Sequence, residues 1–421
     1  MSLNPPKETV LDRFLRYVKI DTQSQEDAES YPSTAKQLDL LRLLADELKD
    51  LGVSDAAIDQ YGYVTGTIPA NLPGDTGQTV PTIGFIAHAD TSPAVSGTNV
   101  KPVVHENYRG GDIVLPGDPA RIIKTSEYPN LEKRYIGMDI VTSDGTTLLG
   151  ADDKAGVAEI MTAVDVLAQN PDIKHGPIKI GFTPDEEVGQ GTKHFDVKKF
   201  GADYAYTLDG GPLGEIEFET FNAFLAVLNI EGIGVHPGYA KDKLVNAIRV
   251  FADFVTRLPK DMAPETTEER QGYIHPYDFN GQAEHLTVKM LIRDFDMDGI
   301  KAKQKILTGI VEEVQSLYPK AKIEIEFNEQ YLNMRYLIEK EPLVLENAKE
   351  AIRRTGTEPH YTLIRGGTDG AKLTYDGLLT PNLFAGGEAF HSKIEWVPVQ
   401  VMEKAVETVV NLAVVWAERP R

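Results

Sequence analysis

The sequence predicts an α/β protein interrupted by a second, α+β unit. Two patterns carry that prediction. Short, wholly apolar runs alternate with segments of helical periodicity along most of the chain, and between Phe221 and Tyr331 the order changes to β-α-β-β-α-β. The length of 421 residues agrees, since at roughly 150 residues per domain it allows about two to three domains.

In chain order, Val10, Leu11, Phe14, Leu15 and Val18 share one face of a helix over Glu8–Ile20. Leu38, Leu41, Leu44 and Leu48 stripe a second helix from about Ser33 to Leu51, stopped by Gly52. Thr82–Ala87 reads as a buried strand leading into His88. Residues 91–147 show little periodicity and are read as a long irregular stretch, the kind more often functional than neutral. A helix follows Gly150, with Val157, Ile160, Met161, Val164 and Leu167 at helical spacing. Strands at Ile178–Phe182 and near Tyr204–Leu208 come next, so the sheet is predicted to be mostly parallel and covered on both faces.

The second unit reads as strand Phe221–Ile233, helix Leu244–Leu258, strands Tyr273–Asp278 and His285–Arg293, helix Ile300–Leu317 and strand Ile323–Phe327, a ferredoxin-like order. The α/β pattern then resumes, with a helix near Leu343–Arg354, strands at Tyr361–Ile364 and Asn382–Ala385, and a last helix over Val401–Trp416. Residues 1–219 and 332–421 are therefore assigned to one domain and 220–331 to an inserted one.

Composition excludes several functions. There are 43 Lys+Arg against 64 Asp+Glu, a net charge of −21 that repels nucleic acid and anionic lipid. Cysteine is absent, so disulfides, thiolate nucleophiles and cysteine-ligated zinc are ruled out, and any metal site must be built from acids and the nine histidines. Met1–Lys7 is polar, without an apolar leader core, and no stretch approaches the length of a membrane span, so a cytoplasmic location is expected.

Several acids and histidines fall at or just beyond predicted strand ends, the edge where ligands bind in open α/β sheets. His88 and Asp90, two apart in an extended segment, point the same way, so one can bind a metal while the other orients it. Asp152 and Asp153 suit a helix N-cap as well as a ligand pair. Glu186 and Glu187 suit a solvated turn, or a division between metal binding and proton transfer. Asp209 precedes two glycines and reads equally as a turn residue, and His391 as a loop histidine. Arg293 and Arg365 can clamp a carboxylate or form a structural ion pair, and His236-Pro237-Gly238 ordinarily reads as a turn. The Gly-rich run from Arg365 to Gly370 lacks the P-loop pattern. What favours the chemical reading is the joint occurrence of two histidines and three acids at the ends of different elements of one layer, a ligand set for two zinc-like ions sharing a carboxylate.

The segments His88-Ala89-Asp90, Gly150 to Gly156, Thr183 to Gly189, Leu208-Asp209-Gly210 and His391 resemble the dinuclear zinc aminopeptidase, carboxypeptidase and deacylase family, M20 of clan MH. The resemblance runs end to end. Through Asn333-Met334-Arg335, Ile364 to Gly370 and Val235 to Gly238 it points to the family's tripeptide aminopeptidases. It implies a zinc-exopeptidase-like domain, with a mixed sheet flanked by helices, and an inserted ferredoxin-like lid and dimerisation domain. It also implies two Zn2+ per subunit, with Co or Mn as substitutes. His88 and Asp209 would hold one ion, Glu187 and His391 the other, and Asp152 would bridge them. Asp90 would orient His88, Glu186 would be the general base acting on a metal-bridging water, and His236 would stabilise the oxyanion. Arg293, Arg365 and Asn246 would bind the substrate's C-terminal carboxylate, which sets a length limit. The Asp152–Asp153 bond would be cis. The implied partners are a tripeptide and a second subunit, with no nucleic acid and no membrane. A dipeptidase or N-acyl-amino-acid deacylase with the same site is the alternative.

Overall fold

The structure, a computed structural model, describes residues 4–72 and 80–419. Met1–Leu3, the start of the polar N-terminal stretch, and the final two residues of the 332–421 segment lie outside the described residues. The chain folds as two compact units. The first takes the described residues up to Phe218, Tyr336–Thr362 and those from Thr368 onward, and the second takes Glu219–Arg335 with Leu363–Gly367.

The first unit opens with helices α1 (Val10–Tyr17) and α2 (Gln37–Asp50), then strands β1 (Ala57–Ile58), β2 (Val64–Ile68) and β3 (Ile83–His88). The stretch read as irregular holds short elements. These are β4 (Val103–His105), the pair β5 (Ile113–Val114) and β6 (Ile122–Ile123), helix α3 (Asn130–Arg134) and β7 (Ile140–Thr142). Strands of two or three residues are too short to show a period, which is why the sequence concealed them. Helix α4 (Ala151–Gln169), β8 (Ile178–Thr183), α5 (Val197–Phe200), β9 (Tyr204–Gly210) and β10 (Glu215–Thr220) complete the first half.

The second unit holds β11 (Asn222–Glu231), α6 (Ala247–Val255), β12 (Tyr273–Gly281), β13 (His285–Asp294), α7 (Met297–Leu317) and β14 (Lys322–Tyr331). Its antiparallel sheet runs β12-β13-β11-β14. Ala226, Leu228 and Ile230 of β11 and Leu286, Val288 and Met290 of β13 alternate onto the face that α6 and α7 cover. The strand read over Phe221–Ile233 is β11, Asn222–Glu231.

The chain then continues through α8 (Arg335–Ile338), α9 (Pro342–Arg354), β15 (His360–Ile364), α10 (Asp369–Tyr375), β16 (Asn382–Phe384), β17 (Trp396–Pro398) and α11 (Val399–Glu418). The main sheet has the order β1-β2-β8-β3-β9-β16-β10-β15. The run β8-β3-β9-β16 is parallel, whereas β1 runs antiparallel to β2, β2 to β8 and β10 to β16, so the mostly parallel prediction is corrected to a mixed sheet. The reason is loop length: the links after β1 and after β9 are too short for the crossover a parallel return requires.

Buried on every residue, β3 has the signature of a central parallel strand. Helix α4 packs on β3 and β9 and against α1 and α11, and is buried nearly all round for that reason. Gly156 permits the closest approach, since a Cβ there would stand 1.9 Å from the Leu208 carbonyl oxygen. Because the four central strands are parallel, their carboxyl ends share one edge. His88, the turn after Thr183, Asp209 and the loop after Phe384 all emerge there.

Candidate metal centre

At that edge the ring of His88 is fixed from behind. Its Nδ1 lies 3.1 Å from the carbonyl oxygen of Asp90, an acceptor only, so the proton sits on Nδ1 and Nε2 is turned forward. Nε2 lies 2.9 Å from Asp152 Oδ1 and 3.6 Å from Asp209 Oδ1. On the other side His391 Nε2 lies 3.1 Å from Asp152 Oδ2 and 2.8 Å from Glu187 Oε2. The two oxygens of one carboxylate thus face two different histidines, each with its own second acid.

Asp152 stands in a short non-helical turn, φ −83° and ψ 107°, before the body of α4, and the Asp152–Asp153 peptide is cis. Asp153 faces inward, its carboxylate accepting the backbone N–H groups of His88 and Gly156. Two supports were not foreseen from sequence. Buried Glu395 accepts the N–H groups of Leu149, Gly150 and Asp152, and so pins the turn that carries Asp152. Asp90, besides facing His88, accepts the N–H of Glu186 at 3.0 Å and of Glu187 at 3.2 Å, so one carboxylate positions three elements of the site. A third contact came from the Gly-rich run. Thr368 caps α10, and its hydroxyl lies 3.4 Å from Asp209 Oδ2. Backbone hydrogen bonding across the sheet leaves no sequence signal, which is why these roles were missed.

The charges are strained by their closeness. Burial raises the Asp152 carboxyl, but hydrogen bonds from His391 and His88 outweigh it and hold it below the usual carboxylate range. Those carboxylates push His391 up to about 11, with Asp152 the larger influence. His88 is also raised well above its ordinary value, burial being overcome by Asp152, Asp209 and Asp90. Glu187 is pushed up to about 7 by burial and the charge of Asp152. Glu186 is raised well above the usual range, by burial first and then by Asp209, Asp369 and Glu187 against the opposing pull of His88.

The donor set fits divalent cations. Imidazole and carboxylate ligands suit zinc, cobalt and manganese alike. Buried Glu187 Oε1 has no hydrogen-bond partner among the described residues, a vacancy a cation would fill. Groups of His88, Asp152 and Glu187, and of His88, Asp153 and Asp209, each bring ligand atoms within 4.8 Å of one another.

The other predicted residues lie in the second unit. His236 is exposed, and its Nδ1 accepts the N–H of Gly238. Asn246 caps α6 through Ile248 N. Arg293 is buried and donates to the carbonyls of Phe224 and Ile292, its guanidinium 5.6 Å from the Tyr331 ring. Arg365 donates to the carbonyls of Glu269, Gln271 and Thr267 and to the Thr267 hydroxyl. Each arginine is thus held by its own unit. The Arg365 guanidinium also lies 5.1 Å from the Phe221 ring and 6.0 Å from that of Tyr273.

Residues 144–414 match peptidase family M20/M25/M40. The chain is 49% identical over 97% of its length, and 99% of the relative's, to Peptidase T of Caldanaerobacter subterraneus subsp. tengcongensis. It is 48% identical over 98% of its length, and 100% of the relative's, to Peptidase T of Bacillus pumilus. Among solved structures it is similar to aminopeptidase PepT of Bacillus cereus, at a TM-score of 0.73 and 26% identity over 99% of both chains. A dinuclear metal-binding peptidase of the M20 family from Bacillus subtilis shares the fold, with a TM-score of 0.65 and 14% identity over 97% of this chain and 98% of that one.

Proposed function

The chain belongs to peptidase family M20/M25/M40, and from that premise we propose that it is a two-zinc aminopeptidase that releases the N-terminal residue of tripeptides. The observation that carries the reading is the placement of Asp152, one oxygen toward His88 and the other toward His391. His88, Asp209 and Asp152 would hold one ion, and His391, Glu187 and Asp152 the other. Two bound divalent cations supply polarisation of the scissile carbonyl and a lowered pKa for the attacking water.

Glu186 takes the proton from that water and returns it to the departing amine. Its burial and its acidic neighbours raise its proton affinity above that of an ordinary carboxylate, which suits a group that takes a proton and later returns it. Asp90 keeps Glu186 in place by accepting its backbone N–H. His236 as oxyanion donor, and Arg293, Arg365 and Asn246 as readers of the C-terminal carboxylate, complete the proposal. A homodimer joined through the second unit belongs to it too, supported by the exposure of Tyr239 and Phe279 and checked by light scattering. Among the described residues no helix is long and apolar enough to cross a membrane, and the proposed location is the cytoplasm.

The test is hydrolysis of a zinc-loaded preparation on Leu-Gly-Gly, its N-acetyl form, and the matching dipeptide and tetrapeptide. Preferred release of the first residue from the free tripeptide supports the proposal. Cleavage of the acetyl group would favour a deacylase, and preference for the dipeptide a dipeptidase.

A further inference from the structure

Beside the Glu187–His391 half of the site lies a cavity of about 670 Å³, bounded among others by Gln23, Glu26, Lys36, Ser92, Glu187 and His391. Glu186 is not among its walls. On the proposed mechanism the departing amine, and the residues behind it, lie where Glu186 can reach them. The cavity therefore opens on the other side of the scissile bond, where a tripeptide has only its N-terminal residue.

The walls have few polar groups to spare. Gln23 Nε2 is spent on the carbonyls of Ser92 and Val95, at 3.0 and 2.8 Å. Thr34 Oγ1 donates to the Gln23 carbonyl at 2.7 Å, and Ser24 Oγ to that of Thr91 at 3.3 Å. Lys36, the lysine of the walls, is neutralised by Asp21 at 2.8 Å, and Asp21 is itself held by the Thr98 hydroxyl. Glu26 stands at the exposed rim with neither an ion pair nor a hydrogen bond among the described residues. Pro93 and Ala94 add an apolar stretch of wall. A long side chain with a cationic tip matches this arrangement, its methylenes along the apolar wall and its charge at the rim. An anionic tip would meet Glu26 and find no unpaired lysine or arginine among the described residues of the wall.

We propose that this cavity is the subsite for the side chain of the substrate's N-terminal residue, and that Glu26 makes it select lysine or arginine there. The inference rests on the aminopeptidase reading above.

The test compares Lys-Gly-Gly with norleucyl-Gly-Gly, which keeps the length and lacks the charge, on wild type, Glu26→Gln and Glu26→Lys. An exposed pair is worth up to about 1 kcal/mol, so Glu26→Gln is expected to lower the Lys/norleucine ratio of kcat/KM by roughly two- to five-fold. The change should fall in KM, and Glu26→Lys should lower the ratio further. An identical ratio in all three proteins overturns the proposal. Binding of lysinamide against norleucinamide, read by calorimetry without turnover, gives the same ratio independently. Failure of wild type to cleave either tripeptide would then count against the proposed activity, while the subsite is judged on binding.

Discussion

Glu395 Oε1 accepts the backbone N–H of Asp152 at 2.9 Å, while its other oxygen accepts those of Leu149 and Gly150. A buried carboxylate with three main-chain donors fixes the turn that aims Asp152 at both histidines. Glu395→Gln replaces one accepting oxygen with an amide that opposes those donors. Outer partners of this kind are typically worth about 10- to 100-fold in metal affinity. Metal titration against a competing chelator should show that loss, and activity should recover when the metal concentration is raised.

Asp90 supports the site differently, through the N–H groups of Glu186 and Glu187 and the ring of His88. Asp90→Asn keeps the shape but turns one acceptor into a donor. Steady-state kinetics should show kcat lowered by roughly 10- to 100-fold with KM little changed.

Metal binding should release protons. With His391 pushed up to about 11 and His88 raised well above its usual value, both rings are protonated at neutral pH in the metal-free protein. A cation must displace those protons, so affinity falls as pH falls. Calorimetry in two buffers of different ionisation heat should report the release of about two protons per pair of ions. Equal heats in the two buffers would contradict this.

Glu159 lies fully buried in α4, and neither carboxyl oxygen has a hydrogen-bond partner among the described residues. Burial raises it well above its ordinary 4.5, so the folded protein keeps the proton while the unfolded chain gives it up. Stability is therefore full at low pH and is lost as pH rises above the unfolded value. Glu159→Met should stabilise the fold by about 1–3 kcal/mol near pH 8, and by less near pH 5. Thermal unfolding at the two pH values checks this.

The long helices and the buried strands were legible because their periods extend over many residues. α4 and β3 begin and end within a few residues of where the spacing puts them. β1, β2 and β10, which make the sheet mixed, carried no such signal, nor did the short strands of 91–147. The candidate site was legible in part. His88, Asp152, Glu187, Asp209 and His391 are residue types that announce metal chemistry, and all five meet at one sheet edge. Glu395 and Thr368 were not legible, because their part is played against backbone N–H groups and a neighbouring carboxylate that only the fold brings near.

The central claim is that Glu186 moves the proton beside a pair of cations it does not itself hold. Glu186→Gln, assayed for bound metal and for tripeptide turnover on the same sample, tests it most directly. The account predicts two ions per chain as in wild type and kcat lowered by roughly 100- to 10,000-fold. Near-normal turnover with the metal retained would contradict it.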